Sequence, residues 1–232
     1  MNRDEFLVKT AGIGIDLPAE APEKLAVYMD LLIRRNQEFN LTAITDPEEI
    51  YEKHFYDSLY PLTDPRINGT VADVGTGAGF PGVVFAIARS DLKVILIDPT
   101  AKRCRFLEEI RKELKLNNVT VVNQRSEEYV KTKREQADVA IARAVASLPV
   151  LAELCVPLVR PGGYFISMKG TKGLKEYQQA EHAFQVLGIE HSEIREYTLP
   201  SGDGRTIITA EKTRITPGKY PRNYGQIKKK PL

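Results

Sequence analysis

From Thr70 onward short apolar runs alternate with longer segments of helical periodicity, and this alternation narrows the choice of folds more than any other feature of the chain. Thr70 to Val74, Val94 to Ile97, Val119 to Val122, Val139 to Ala142 and Tyr164 to Met168 have the length and apolar content of strands. Helical segments such as Lys102 to Lys115 and Leu174 to Leu187 lie between or after them. A strand, a helix and another strand in succession form a parallel crossover, so the pattern predicts a parallel sheet with helices on both faces. Two further strands are expected at about Glu190 to Tyr197 and Arg205 to Glu211. The stretch from Thr198 to Gly204 is too short for a crossover, so this pair is expected as an antiparallel hairpin. The expected fold class is α/β: a Rossmann-like, mostly parallel seven-stranded sheet with an antiparallel last strand, flanked by helices.

Residues 1–65 read instead as a helical extension packed on the core. Leu25, Tyr28, Met29, Leu32 and Phe39 recur at three-to-four spacing and give one apolar face. Asn36 and Asn40 interrupt that face and are expected as local caps. Asp46-Pro47-Glu48-Glu49 is a helix start, with Asp as the cap, Pro at the first helical position and acids at the positive end of the dipole. The core is expected over residues 66–212 and a basic C-terminal tail over 213–232.

Charge is divided unevenly along the chain. From Lys212 to the end there are seven basic residues and no acid; the whole chain carries +2, so the residues before Lys212 carry a net −5. A basic tail on an acidic body suggests a polyanionic partner, because Lys and Arg displace the counterions condensed on phosphates, although on charge alone a solubilising tail serves as well. The opening MNRDEFLVKT holds no apolar stretch of signal-peptide length, and no run approaches the roughly 18 apolar residues of a membrane span. Cys104 and Cys155 stand outside any metal-ligand spacing. A cytoplasmic location, reduced thiols and no metal site are expected.

The strongest local signal is DVGTGAGFPG, Asp73 to Gly82, at the end of the first strand. Gly75, Gly77 and Gly79 remove side chains where the chain turns sharply and a ligand must approach the backbone. Asp98 closes the next strand, where a carboxylate can accept both hydroxyls of a ribose. A dinucleotide fingerprint spaces its glycines G-x-G-x-x-G and presents a helix start to a pyrophosphate; here the spacing is G-x-G-x-G, with Asp73 two positions ahead. An acid there repels a pyrophosphate and suits the ammonium or sulfonium of S-adenosylmethionine. Arg125-Ser126-Glu127, after the third strand, supplies polar groups where the adenine edge would lie.

With these residues in place, the chain resembles one family closely: RsmG, also called GidB, the bacterial 16S rRNA guanine-N7 methyltransferases. The resemblance runs through Asn40-Leu41-Thr42, the segment His54 to Leu59, DVGTGAGFPG, Lys102-Arg103 with Phe106-Leu107, and Arg143-Ala144-Val145-Ala146. It continues in Pro161-Gly162-Gly163, Met168-Lys169-Gly170 and the ending KYPRNYGQIKKKPL. It implies a class I methyltransferase fold, S-adenosylmethionine as methyl donor, and a target guanine in the decoding-region loop of 16S ribosomal RNA, met as RNA or in the small ribosomal subunit. A monomer is expected. Carried over position by position, the cofactor contacts fall on Gly75, Phe80, Ser126, Glu127 and Arg143, with Asp98, Pro99 and Thr100 as a further stretch; Asp73 and Gly77 complete the set. Ser126 stands where the family commonly has Ala, Asn223 where a basic residue is frequent, and Pro99-Thr100 is an uncommon variant.

Guanine N7 has a lone pair and no proton, so no catalytic base is expected; transfer depends on in-line placement of the methyl group. No cysteine motif supports covalent attack on a base. His54 and Asp57, three apart on one helical face, are candidates for the substrate pocket. Lys169, Lys219 and Arg222 are candidate RNA contacts, with Lys228 to Lys230 expected beside them as phosphate clamps. The competing readings are a non-catalytic RNA-binding assembly factor on the same fold, a small-molecule methyltransferase and, on cofactor alone, an NAD-dependent enzyme.

Overall fold

A computed structural model describes every residue except Ala144, the second residue of the Arg-Ala-Val-Ala segment, which lies outside the described residues. Seven strands form one sheet: β1 (Thr70–Val74), β2 (Lys93–Ile97), β3 (Val119–Val122), β4 (Ala137–Arg143), β5 (Val159–Lys169), β6 (Ile189–Thr198) and β7 (Gly204–Lys212). Their spatial order is β3-β2-β1-β4-β5-β7-β6. The five strands from β1 to β5 pair in parallel, and β7 runs antiparallel to both β5 and β6. The last strand in sequence is thus the antiparallel one, but it inserts between β5 and β6 instead of forming the edge.

Successive strand residues face opposite sides, and each side has its own apolar layer. Val94, Leu96, Val139 and Ile141 join one layer, while Ile97, Ala140 and Ala142 join the other. On the first side lie α1 (Arg3–Gly12), α2 (Ala21–Phe39), α5 (Gly82–Ala88) and α6 (Ala101–Glu113); Phe6, Leu25, Tyr28 and Leu32 are buried there among sheet residues. The second side carries α7 (Ser126–Lys133), α8 (Leu148–Cys155), α9 (Gly173–Leu187) and α10 (Tyr224–Lys229). Among the described residues no helix is long and apolar enough to cross a membrane.

Between α2 and β1 the chain winds in an unusual way. The short helix α3 (Pro47–Glu49) begins as expected, with the Asp46 side chain accepting from the Glu49 N–H at 3.0 Å. It runs on as a π-helical stretch (Ile50–Tyr56), then α4 (Asp57–Leu59) and a 3-10 turn (Tyr60–Thr63). The asparagines also act locally: Asn36 Oδ1 accepts from the Leu41 and Thr42 N–H groups, and Asn40 ends α2 in the left-handed conformation, φ +50°.

Candidate functional site

The strand order reverses between β1 and β4, which opens a crevice beyond their carboxyl ends. The glycine turn leaves β1 at this point. Gly75 has φ +70°, and a Cβ there would lie 2.7 Å from Val145 Cγ2. Gly79 has φ +109°, and its Cβ would lie 2.7 Å from the Tyr28 hydroxyl. Both positions therefore need glycine for conformation and for space. Asp73 is fully buried behind the turn. Its Oδ2 accepts from Thr76 Oγ1 at 2.6 Å and from the Gly82 N–H at 2.8 Å, while Oδ1 has no partner. Burial pushes its pKa up to about 6. Asp73 thus supports the turn through Oδ2, bonded to Thr76 and to the first residue of α5, where the sequence suggested a direct cofactor contact; its side chain is fully buried.

A cavity of about 430 Å³ lies over the turn, walled by Gly75, Gly77, Phe80, Asp98, Pro99 and Arg143. Asp98 closes β2 with no exposed surface. Its Oδ1 accepts from the Thr100 N–H at 2.8 Å, and its Oδ2 from the Gly77 N–H at 3.1 Å and Arg103 Nη1 at 3.4 Å. The Thr100 contribution among the described atoms is this backbone bond; its side chain is exposed. A second cavity, about 310 Å³, shares Gly75, Pro99 and Val145 with the first and extends to Ser126 and Glu127. The Ser126 hydroxyl donates to the Leu154 carbonyl at 2.6 Å, so the atom that distinguishes it from Ala is spent on α8.

On the other side the turn cavity meets a third, of about 300 Å³, and the two share His54 and Arg143. The π-helical stretch brings His54 against Phe80, ring centroids 4.4 Å apart and nearly parallel. His54 Nε2 is 2.9 Å from Thr42 Oγ1 and Nδ1 is 3.3 Å from Arg143 Nη2. A guanidinium can only donate, so Nδ1 accepts and Nε2 carries the proton. Burial, reinforced by the Arg143 charge, lowers the His54 pKa to about 3, and the ring is neutral. Asp57 is buried as well: Oδ1 accepts from the Tyr197 hydroxyl at 2.7 Å and Arg205 Nε at 3.2 Å, Oδ2 from Arg143 Nη1 at 3.3 Å. Burial, and then the adjacent Asp57 carboxylate, push the Tyr197 phenol well up. His54 and Asp57 do line one cavity, through π winding instead of the ordinary helical face the spacing suggested.

Two of the expected cationic contacts, Lys169 and Arg222, are engaged inside the protein, and so is Lys212. Lys169 lines the third cavity, but it is buried and its ammonium is held by Glu176 Oε2 at 2.8 Å and by the Ala146 carbonyl. Arg222 grips the fully buried Glu153 through Nε at 2.8 Å and Nη2 at 2.5 Å, so its guanidinium is not available as a phosphate clamp. Lys212, first of the basic run, is fully buried against Glu135 and two backbone carbonyls. Lys219 and Lys228 to Lys230 are exposed, Lys219 resting over the Tyr220 ring. The tail is packed onto α8, with Tyr220 and Ile227 buried, and Asn223 caps α10 by accepting from the Gln226 N–H at 3.0 Å.

Sequence reasoning missed Arg205 and Tyr197 at Asp57, Tyr28 behind the turn and Tyr224 at the second cavity. Only Tyr224 carried a usable signal: an aromatic residue in a tail otherwise read for its charge.

The model of the family described as rRNA small subunit methyltransferase G matches residues 21–203. The chain is 41% identical over 239 residues to the ribosomal RNA small subunit methyltransferase G of Lactobacillus johnsonii, covering 100% of both chains. It is 44% identical over 224 residues to the protein of the same name from Desulfitobacterium hafniense, covering 95% of this chain and 93% of that one. Among solved structures it resembles an O-methyltransferase from Bacillus cereus in complex with SAH: TM-score 0.58, 15% identity, 80% of this chain and 91% of the other. At that identity the likeness concerns the fold. The crevice suits S-adenosylmethionine on its own chemistry: it offers a buried carboxylate at Asp98 that a ribose could meet, a glycine-rich turn that lets a ligand approach the backbone, and a recess bearing Glu127 with room for a purine. Full-length likeness on this sheet and around this crevice makes the chain a member of the rRNA small subunit methyltransferase G family, and S-adenosylmethionine is its methyl donor.

Proposed function

We propose that the chain methylates N7 of a guanine in the decoding-region loop of 16S ribosomal RNA, in the cytoplasm and as a monomer. The relatives' names point to small-subunit rRNA. One observation carries the choice of a protonless atom: the cavity beside the glycine turn opens into a third cavity in which, among the described residues, no side chain is free to take a proton. His54 already spends its proton on Thr42 and its lone pair on Arg143, and Asp57 is occupied by three donors. An exocyclic amine or hydroxyl would be helped by a base at this place, whereas a ring nitrogen such as N7 attacks with a lone pair that carries no proton, and the resemblance to the guanine-N7 family selects N7 of guanine among such nitrogens. Both cysteines are buried, and burial raises both thiols, which disfavours a covalent adduct.

S-adenosylmethionine supplies an electrophilic methyl group on a sulfonium. In this reading Gly75, Gly77, Phe80, Asp98, Pro99, Thr100, Ser126 and Glu127 hold and orient that donor. Arg143, on the wall common to the two cavities, sets the distance between donor and base while Asp57 and the Phe80 ring hold its guanidinium, whose Cζ lies 4.9 Å from the ring centre. The third cavity is lined by four cations, Lys53, Arg143, Lys169 and Arg205, against the one carboxylate of Asp57. Although Lys53, Lys169 and Arg205 are paired with Glu49, Glu176 and Asp57, the excess of positive groups favours the phosphate-flanked base. Residues 1–65 act as a helical extension that buttresses this wall, 66–212 as the donor-binding core and 213–232 as a tail that meets RNA through its exposed lysines.

The test is to purify small-subunit rRNA and particles from cells lacking this protein, add the protein with methyl-labelled donor, and map the label by mass. Label is expected as N7-methylguanine at one position, and Arg143→Ala is expected to lower its rate by at least about a hundredfold. Label on another base or atom, or none, overturns the proposal.

A further inference from the structure

We propose that the C-terminal segment belongs to the donor site, with Tyr224 forming the wall of its adenine end. The inference rests on the reading that the cavity at Ser126 and Glu127 takes the adenine.

Tyr224 lines that cavity together with Arg125, whose guanidinium carbon lies 5.1 Å from the centre of the tyrosine ring. A planar cation over an aromatic face orients both groups, and a purine gains by packing against either. Tyr224 is only partly buried: it packs at the margin of the second apolar layer and also lines the cavity.

The segment is held where a loose basic tail would not be. Glu153 has no exposed surface, and among the described residues its carboxylate bonds only to Arg222: the backbone N–H and Nε reach Oε1 at 2.8 Å each, and Nη2 reaches Oε2 at 2.5 Å. A buried carboxylate is tolerated only with such pairing, so Arg222 cannot leave without stranding a charge, and the segment stays docked. Arg134 donates to the Tyr220 carbonyl, the Asn223 cap starts α10 one residue before Tyr224, and Ile227 plugs its far side into the core. Glu153 also neighbours Leu154, whose carbonyl accepts the Ser126 hydroxyl. One turn of α8 therefore sets the cavity wall at Ser126 and the anchor of the segment that closes the cavity opposite.

Titration calorimetry on the full-length protein tests this with S-adenosylhomocysteine and, by competition, with adenosine alone. Tyr224→Ala is expected to weaken both about tenfold, the lower range of an aromatic–base contact, and Tyr224→Phe to leave both within about twofold. Tyr224→Leu keeps apolar bulk for the packing and is expected to behave like Tyr224→Ala, which separates loss of the ring from loss of fold. Arg222→Gln, a positioning change, is expected to raise KM for the donor with kcat at saturating donor unchanged. Wild-type affinity in Tyr224→Ala or Tyr224→Leu overturns the proposal, as does a loss for S-adenosylhomocysteine that adenosine does not share. A wild-type protein that binds neither ligand would instead bring down the donor-site reading on which the proposal rests.

Discussion

The His54 ring is buried between a hydroxyl and a guanidinium and is stacked on Phe80; the burial and the Arg143 charge disfavour a second proton. Its pKa is near 6.5 when the chain is unfolded and about 3 when folded, so between those values the unfolded chain binds the extra proton. Stability attached to the neutral ring is therefore complete above pH 6.5 and is lost as the pH falls toward 3. Asp73 works in the opposite sense. Its folded pKa of about 6 exceeds the usual 3.8, so its contribution is complete below 3.8 and lost as the pH rises through 6. A His54→Gln comparison cancels the Asp73 slope, which both proteins share. Chemical denaturation between pH 4 and 8 is expected to show wild type losing more stability than His54→Gln toward the acid end; parallel curves would mean that the ring takes up its proton as readily in the fold as in the unfolded chain.

Helix α2 is the element that links the N-terminal extension to the chemistry. Its Tyr28 hydroxyl donates to the Ala78 carbonyl at 2.6 Å inside the protein, and its ring stacks on Phe80 with centroids 5.3 Å apart. The glycine turn has one polar side chain with which to brace itself, Thr76, so it takes its shape from the Thr76–Asp73 bond beneath and from this contact above. Tyr28→Phe keeps the stacking and strands one buried carbonyl, a loss of about 1 kcal/mol, or about 2–4 °C in Tm. Donor affinity is expected to fall with it, because the unsupported carbonyl belongs to the turn itself. An unchanged Tm in differential scanning fluorimetry would show that the bond is worth nothing net. The π-helical stretch has a similar role on the substrate side, turning His54 toward Phe80 while Asp57 reaches the two arginines.

The three cavities lie in a row across the carboxyl edge of the sheet, joined by shared walls at Gly75 and at Arg143. The packed tail alters how charge reaches that edge. Of the seven basic residues from Lys212 onward, Lys212 and Arg222 are neutralised by carboxylates within the protein, and Arg214 pairs with Glu190 at 2.9 Å. Lys219 and Lys228 to Lys230 are exposed, and they are the cations proposed to meet RNA. Replacing Lys228, Lys229 and Lys230 with Gln is expected to lower the slope of log affinity against log salt by about 2, since each phosphate contact to single-stranded RNA contributes about 0.7. Filter binding to a small-subunit rRNA fragment measures it, and an unaltered slope would leave these lysines as solubilising groups.

Much of this molecule follows from local rules that act within a few residues. The order of strands and helices, the hairpin forced by a short connection, the caps at Asn36 and Asp46, and the glycine turn with its acid one strand away were readable because periodicity, turn chemistry and φ preference need no distant partner. Charge alone did not tell which cations are free. Lys212 and Glu135 are 77 residues apart, and Arg222 and Glu153 are 69, so no spacing rule could pair them. Nor could periodicity distinguish ordinary from π winding around His54, since the same residues suit both until Phe80 and Arg143 pack against them. Local propensity acts along the chain, whereas ion pairing, burial and the walls of a cavity depend on groups that meet only once the sheet has formed.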